Sequence, residues 1–281
     1  MKKLAHGPEK LGCASNDNTQ PSLPLPLVEE TRIVSASRFI LSTVSNNWLS
    51  LAYLGPELHL KFSAAPPRLF LEPPTYFTRF EKEHGFVPSG VKLSGTDEIH
   101  ISSTIEDQSE LWVLITHELL HHASELGGGR DISWEDSAGC SKTVKYDEKK
   151  WLHEGMTELH AQQLVRKNGY APTFVAYKFE TATSFYIQRL VVDAARSLEL
   201  GMTILRGAYL TGNFTQIRML VDRALKKGTF DELMKQSNGA QAFEFLRFQV
   251  KKYLVSSTGP PSYRKWDEHP LAEGALTDTD S

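Results

Sequence analysis

Two histidines four residues apart, with a glutamate directly after the first, place the strongest constraint on this chain: His117-Glu118-Leu119-Leu120-His121. On a helix, positions i and i+4 lie one turn apart on the same face, so both imidazoles reach one point beside it. Neutral imidazoles suit zinc, and a catalytic zinc takes three protein ligands and leaves a fourth position to water. Glu118 lies about 100° further round the helix, where a carboxylate meets that water and takes its proton as general base. The fold must therefore carry a third ligand to this face from elsewhere in the chain.

The flanking residues support a helix. Asp107, with Glu110 three residues later, reads as a capping box with Asp as the cap. Leu111, Ile115, Leu119, His122 and Leu126 continue one face, and Gly127-Gly128-Gly129 ends it. A second helix is expected to start with Asp147 as its cap and to end at Asn168-Gly169. It carries Glu154 and Glu158, again at i and i+4. Three more histidines compete as ligands. His122 lies one residue past the metal-facing side, and His153 about 100° away from Glu154. His160 lies close enough to line a cleft or to replace Glu154 as third ligand.

The string Trp151-Leu-His-Glu-Gly-Met-Thr-Glu158, following His117-Glu-x-x-His121, resembles the gluzincin group of zinc metallopeptidases, the thermolysin-like enzymes. The resemblance covers about residues 99–165 and extends loosely into the helical remainder. It implies that His117, His121 and Glu154 bind zinc, that Glu118 activates water, and that Glu158 orients a zinc histidine, with His117 the expected one. Trp-Leu-His-Glu-Gly is similar to the Trp-Leu-Asn-Glu-Gly block of the aminopeptidase branch, with His153 in place of Asn. The connection from His121 to Glu154 is longer than in those branches. No Gly-x-Met-Glu-Asn block for a free amino terminus is found, which argues against an aminopeptidase. The implied activity is hydrolysis of peptide bonds in a peptide or protein substrate, as an endopeptidase. The group also implies a Tyr or His beside the developing oxyanion; Tyr186 is the first candidate, with Tyr177 and His160 behind it. Two other classes stay open: a zinc hydrolase of a non-peptide amide, and a non-catalytic protein that keeps the helix pair for structure or binding.

Composition limits the partners. A net charge of −3 from 31 basic and 34 acidic residues predicts no broad basic face for nucleic acid. The longest apolar runs, such as Leu111–Ile115, are far short of a membrane span. Two cysteines, Cys13 and Cys140, exclude a disulfide scaffold and a four-cysteine zinc site. Met1-Lys2-Lys3 is not followed by an apolar stretch, so no signal peptide is expected. The cytoplasm is the default compartment, with export by a signal-independent route left open.

The expected organisation is α+β, a zincin-like domain over residues 28–256 between flexible tails at 1–27 and 257–281. Residues 28–106 form a strand-containing lobe, 107–168 the zinc-site helices, and 169–256 a helical subdomain broken at Gly201, Gly212-Asn213 and Gly228. Within the lobe, residues 28–46 predict a helix. Short strands are expected around Trp48–Tyr53, Leu58–Phe62 and Leu69–Leu71, then a helix over Thr75–His84. Ile99–Thr104 alternates as a strand, either the edge strand beside the metal or an ordinary core strand. Asp131, Glu135 and Asp136 form an acidic loop, read as solvated rather than calcium-binding, and Cys140 as a small residue within it.

Overall fold

A computed structural model describes residues 54–64, 66–81 and 87–254, together with Trp266 and His269. The expectations for 1–27, 28–46 and Trp48–Tyr53 lie outside the described residues. Helix α1 (Pro56–Ala64) leads into β1 (Arg68–Glu72) and a short helix α2 (Pro74–Phe77), which a 3-10 turn continues over Thr78–Phe80. Next come β2 (Gly90–Lys92), β3 (Glu98–Ser102) and the long helix α3 (Gln108–Gly127). A hairpin, β4 (Ile132–Glu135) and β5 (Ser141–Val144), separates α3 from α4 (Lys150–Lys167). Then follow α5 (Lys178–Ala195), α6 (Leu198–Thr211), α7 (Thr215–Ala224), α8 (Thr229–Leu233) and α9 (Gly239–Leu254). The architecture is α+β, mostly helical, with two small sheets among the described residues.

In the three-stranded sheet β3 is central, parallel to β1 and antiparallel to β2. Ile99 and Ile101 turn one face of β3 into the core, and His100 and Ser102 the other, where Phe70 and Tyr76 stack on the His100 ring. The strand read at Ile99–Thr104 is thus a core strand, and the edge strand facing α3 is β2. Leu58–Phe62, expected as a strand, is helical. Leu58 and Phe62 are buried one turn apart while Leu60 between them is 69% exposed, which is a helical period and not an alternating one.

Local chemistry sets the helix ends. The Asp107 carboxylate accepts the Glu110 N–H at 2.8 Å and starts α3; Gly128, at φ 82°, ends it. Asp147 does not cap α4. It lies in a 3-10 turn over Tyr146–Glu148, and the cap position belongs to Lys149. Gly201 does not break the chain either. Helix α6 begins earlier, where the Ser197 side chain accepts the Leu200 N–H, and Gly201 allows α6 to lie against Val192 of α5. Gly212 and Gly228 do mark breaks, with φ of 71° and 86°. The residues read as an acidic loop are spread along the β4–β5 hairpin: Asp131 precedes β4, Glu135 ends it, and Asp136 opens the turn. Asp136 accepts the N–H groups of Ala138 and Cys140, Asp131 pairs with Lys145, and Cys140 is an exposed free thiol. In the segment read as a C-terminal tail, Trp266 is buried against Tyr186, and His269 stacks on Phe185.

Helix α4 is the centre of the molecule. Every residue from Trp151 to Gln162 is buried, with α3 on one side and α5 on the other. Gly155 permits the α4–α5 approach: a Cβ there would fall 2.2 Å from the Glu180 carbonyl oxygen. We expect Gly155→Ala to destabilise the fold by about 1–3 kcal/mol through overpacking. An unchanged thermal midpoint would show that the two helices separate without cost.

Candidate metal centre

Helices α3 and α4 face one another through five side chains. From α3, His117 and His121 point at α4, and Glu118 points at β2. From α4 come Glu154 and Glu158, one turn apart. His117 Nε2 and His121 Nε2 are 3.0 Å apart, and each lies 3.2 Å from Glu154 Oε2. The three residues form one group with the burial needed to exclude bulk water, His121 being the most open. Sequence reasoning named all of these residues, and the structure brings them together.

This donor set fits a metal ion. Bonds of about 2.0–2.1 Å around a tetrahedral zinc separate its ligand atoms by about 3.3 Å, close to the observed spacing. The tautomer is also suitable. Glu158 Oε2 accepts from His117 Nδ1 at 3.0 Å, so in the neutral ring the Nε2 lone pair faces the shared point. Glu158 is itself held, its other oxygen accepting from the Gln162 amide at 2.9 Å and the Ala176 N–H at 3.4 Å. Glu154 Oε1 accepts the Tyr146 hydroxyl at 2.5 Å, which leaves Oε2 for the centre.

Electrostatics point the same way. Glu118, Glu154 and Glu158 are all buried, and buried carboxylates demand compensating positive charge. Burial disfavours the charged form of His117, yet hydrogen bonds to Glu154 and Glu158 carry its pKa up to about 10. Burial likewise opposes the Glu154 anion, and His121 and His117 still hold it well below the ordinary carboxylate range. A site that draws a proton this strongly draws a divalent cation for the same reason. Glu118 differs: burial pushes its carboxyl up, against the pull of His117 and His121. Its Oε2 accepts the Lys92 N–H of the edge strand at 2.8 Å.

No protein-family model, curated protein or solved structure matches this chain. The chemistry of the centre therefore rests on its own residues.

The remaining candidates divide. Tyr186 is not at the centre; it is 1% exposed and packed edge-on between Phe243 and Trp266 in the core. Its aromatic neighbours in α5 and α9 gave it that place, and nothing in its local sequence told a core tyrosine from a catalytic one. Tyr177 takes the position instead. Its ring stacks on His117 at 5.6 Å, and its hydroxyl hydrogen-bonds Glu154. Tyr146 was missed entirely; it reaches Glu154 from the 3-10 turn before α4, which no helical spacing announces. Burial first, and the nearby carboxylates second, hold both phenols far above their ordinary range, so both remain donors.

None of the rival histidines is in the group. His122 packs edge-on to Phe62 in the core. His160 lies against Tyr209, its pKa lowered to about 4 by burial and by Arg206. His153 stacks flat on His121 at 5.2 Å and bonds Ser124 Oγ, which in turn donates to the Tyr209 carbonyl. Burial and His121 bring His153 down to about 3, so a neutral ring braces His121 from behind.

Cavities open on both sides. One of about 800 Å³ is lined by Val113, Leu114, Trp151 and Phe174 and reaches His117, Glu118 and Glu154. A smaller one, about 180 Å³, contains the same three residues together with His121. Among the described residues no helix is long and apolar enough to cross a membrane.

We expect the full-length protein to retain one zinc per chain, and Glu154→Ala to lose it on dialysis. Glu158→Gln should weaken zinc about 10–100-fold by releasing the His117 ring. Undiminished zinc affinity in both variants would remove the metal assignment.

Proposed function

We propose that this protein is a zinc-dependent metallopeptidase, a zincin-like domain with a gluzincin-type ligand set, acting on internal bonds of a peptide or protein. The observation that carries the reading is the convergence of His117, His121 and Glu154 beside a separately held carboxylate, Glu118, in an open cleft. A bound zinc supplies Lewis acidity, lowering the pKa of water and polarising a carbonyl.

This chain's residues do the rest. His117, His121 and Glu154 hold the ion, with Glu158 and Tyr146 fixing the orientation of two of them. Glu118, anchored through Oε2, accepts the proton of the attacking water and delivers it to the leaving amine. Its raised pKa suits a group that must both take and return a proton. Tyr177, protonated and beside His117, donates to the oxyanion of the tetrahedral intermediate. Edge strand β2 offers backbone groups to an extended substrate. Gly90 lets β2 lie close to α3, since a Cβ there would meet the Leu114 side chain at 2.7 Å.

Glu118→Gln should keep its zinc and lose at least about 100-fold in kcat/KM on a casein or peptide-library substrate. Full activity in that variant would refute the mechanism. Cleavage of small amides but of no peptide would replace the peptidase reading with a general amidohydrolase. Tyr177→Phe should lower kcat by about 100–1000-fold with little change in KM, whereas Tyr186→Phe should leave kinetics unaltered.

A further inference from the structure

The cleft has two unlike ends. Val113 and Leu114, in the first half of α3, line the large apolar cavity; Glu125, two turns beyond Glu118, lines the small one. The chain from β2 toward β3 runs alongside. Gly90 borders both cavities, while Lys92, Ser94 and Arg130 belong to the small end alone.

Around Glu125 two cations meet one carboxylate, while Glu118 and Glu154 line the same cavity from the side of the candidate metal centre. Glu125 accepts the Gly95 N–H at 2.8 Å, forms an ion pair with Lys92, and has Arg130 Nη1 at 3.6 Å. The nearby Asp97, its two oxygens bonded by Arg68, favours the Lys92 ammonium only from a distance. Burial first, and the charge of Arg130 second, bring the Lys92 ammonium down to about 8 against the pull of Glu118 and Asp97. Arg130 is the open member, its side chain 48% exposed. Its guanidinium bonds Ser94 and lies 5.5 Å over the ring of Tyr146, the residue that holds Glu154. A planar fork of donors thus stands one ring away from the candidate metal ligand, in a space with room for about one residue.

We propose that the small end of the cleft binds a carboxylate of the substrate, received by the guanidinium of Arg130 with Lys92 behind it. That the carboxylate belongs to a peptide rests on the peptidase reading above. Its source is either the free α-carboxylate of a chain end or an acidic side chain. In the first case the internal bond cut lies within a few residues of the carboxyl terminus; in the second it lies beside Asp or Glu anywhere along the peptide.

Calorimetry on the full-length, zinc-loaded Glu118→Gln protein tests this with three peptides that differ only in the last residue or its end group. The first ends in a free carboxylate. The second ends in an amide with no acidic residue. The third is that amide with Glu as its last residue. An anionic peptide should bind about tenfold tighter than the neutral amide, the scale of a hydrogen bond to a charged group. Tighter binding of the first alone assigns the α-carboxylate, and of the third the side chain. Adding Arg130→Gln, an exposed position whose fold is checked by circular dichroism, should bring the ratio close to one. Equal or absent binding of all three overturns the proposal. So does a preference that survives Arg130→Gln, since the carboxylate is then held by the metal. Hydrolysis by the unmutated chain is read separately: carboxylate-dependent binding without cleavage of any peptide sinks the peptidase reading and leaves this site standing.

Discussion

His117 sits between two carboxylates of one helix, Glu158 at Nδ1 and Glu154 at Nε2. Placing Glu118, Glu154 and Glu158 together out of water costs several kcal/mol for each unpaired charge. Hydrogen bonds to His117 and His121 offset part of that cost, and a cation held by His117, His121 and Glu154, as proposed above, would offset more of it.

The support extends well beyond the ligands. Tyr209 of α6 ties the rear of the centre together: its carbonyl accepts from Ser124, its hydroxyl meets Thr157 at 2.9 Å, and its ring touches His153 and His160. Close helix contacts keep this scaffold rigid. Gly127 and Gly129 bring the end of α3 against the carbonyl oxygens of Leu210 and Tyr209, and Gly155 brings α4 against α5. A ligand set needs such support, because a shift of about 1 Å is enough to disable a catalytic constellation.

The cleft follows from the same packing. Because β2 runs beside α3, one edge of the sheet borders the centre and holds Glu118 by a backbone N–H. The apolar residues early in α3 line one end, and at the other Lys92, at the end of β2, meets Arg130 from the loop after α3. The difference between the two ends of the cleft is thus a product of how the strand and the helix are aligned.

Spacing along a helix is decided by backbone geometry, so His117, Glu118, His121, Glu154 and Glu158 were legible without coordinates, as were the Asp107 cap and the glycine stops at 128, 212 and 228. What the sequence could not decide were roles that depend on neighbours distant along the chain. Tyr186 and Tyr177 are the same residue type nine positions apart, and only packing made one core and the other part of the centre. Leu58–Phe62 could be read with either period until α3 covered one helical face of it. Edge and centre in a sheet are properties of pairing, so the sequence left Ile99–Thr104 open between the two, and the edge strand β2 was not read at all. Helix α4 is rich in polar residues yet wholly buried from Trp151 to Gln162, because its polar groups are paired with other helices and not with water. Local periodicity determined which side chains share a face; tertiary packing alone determined what that face meets, because burial and charge compensation arise only where separate segments touch.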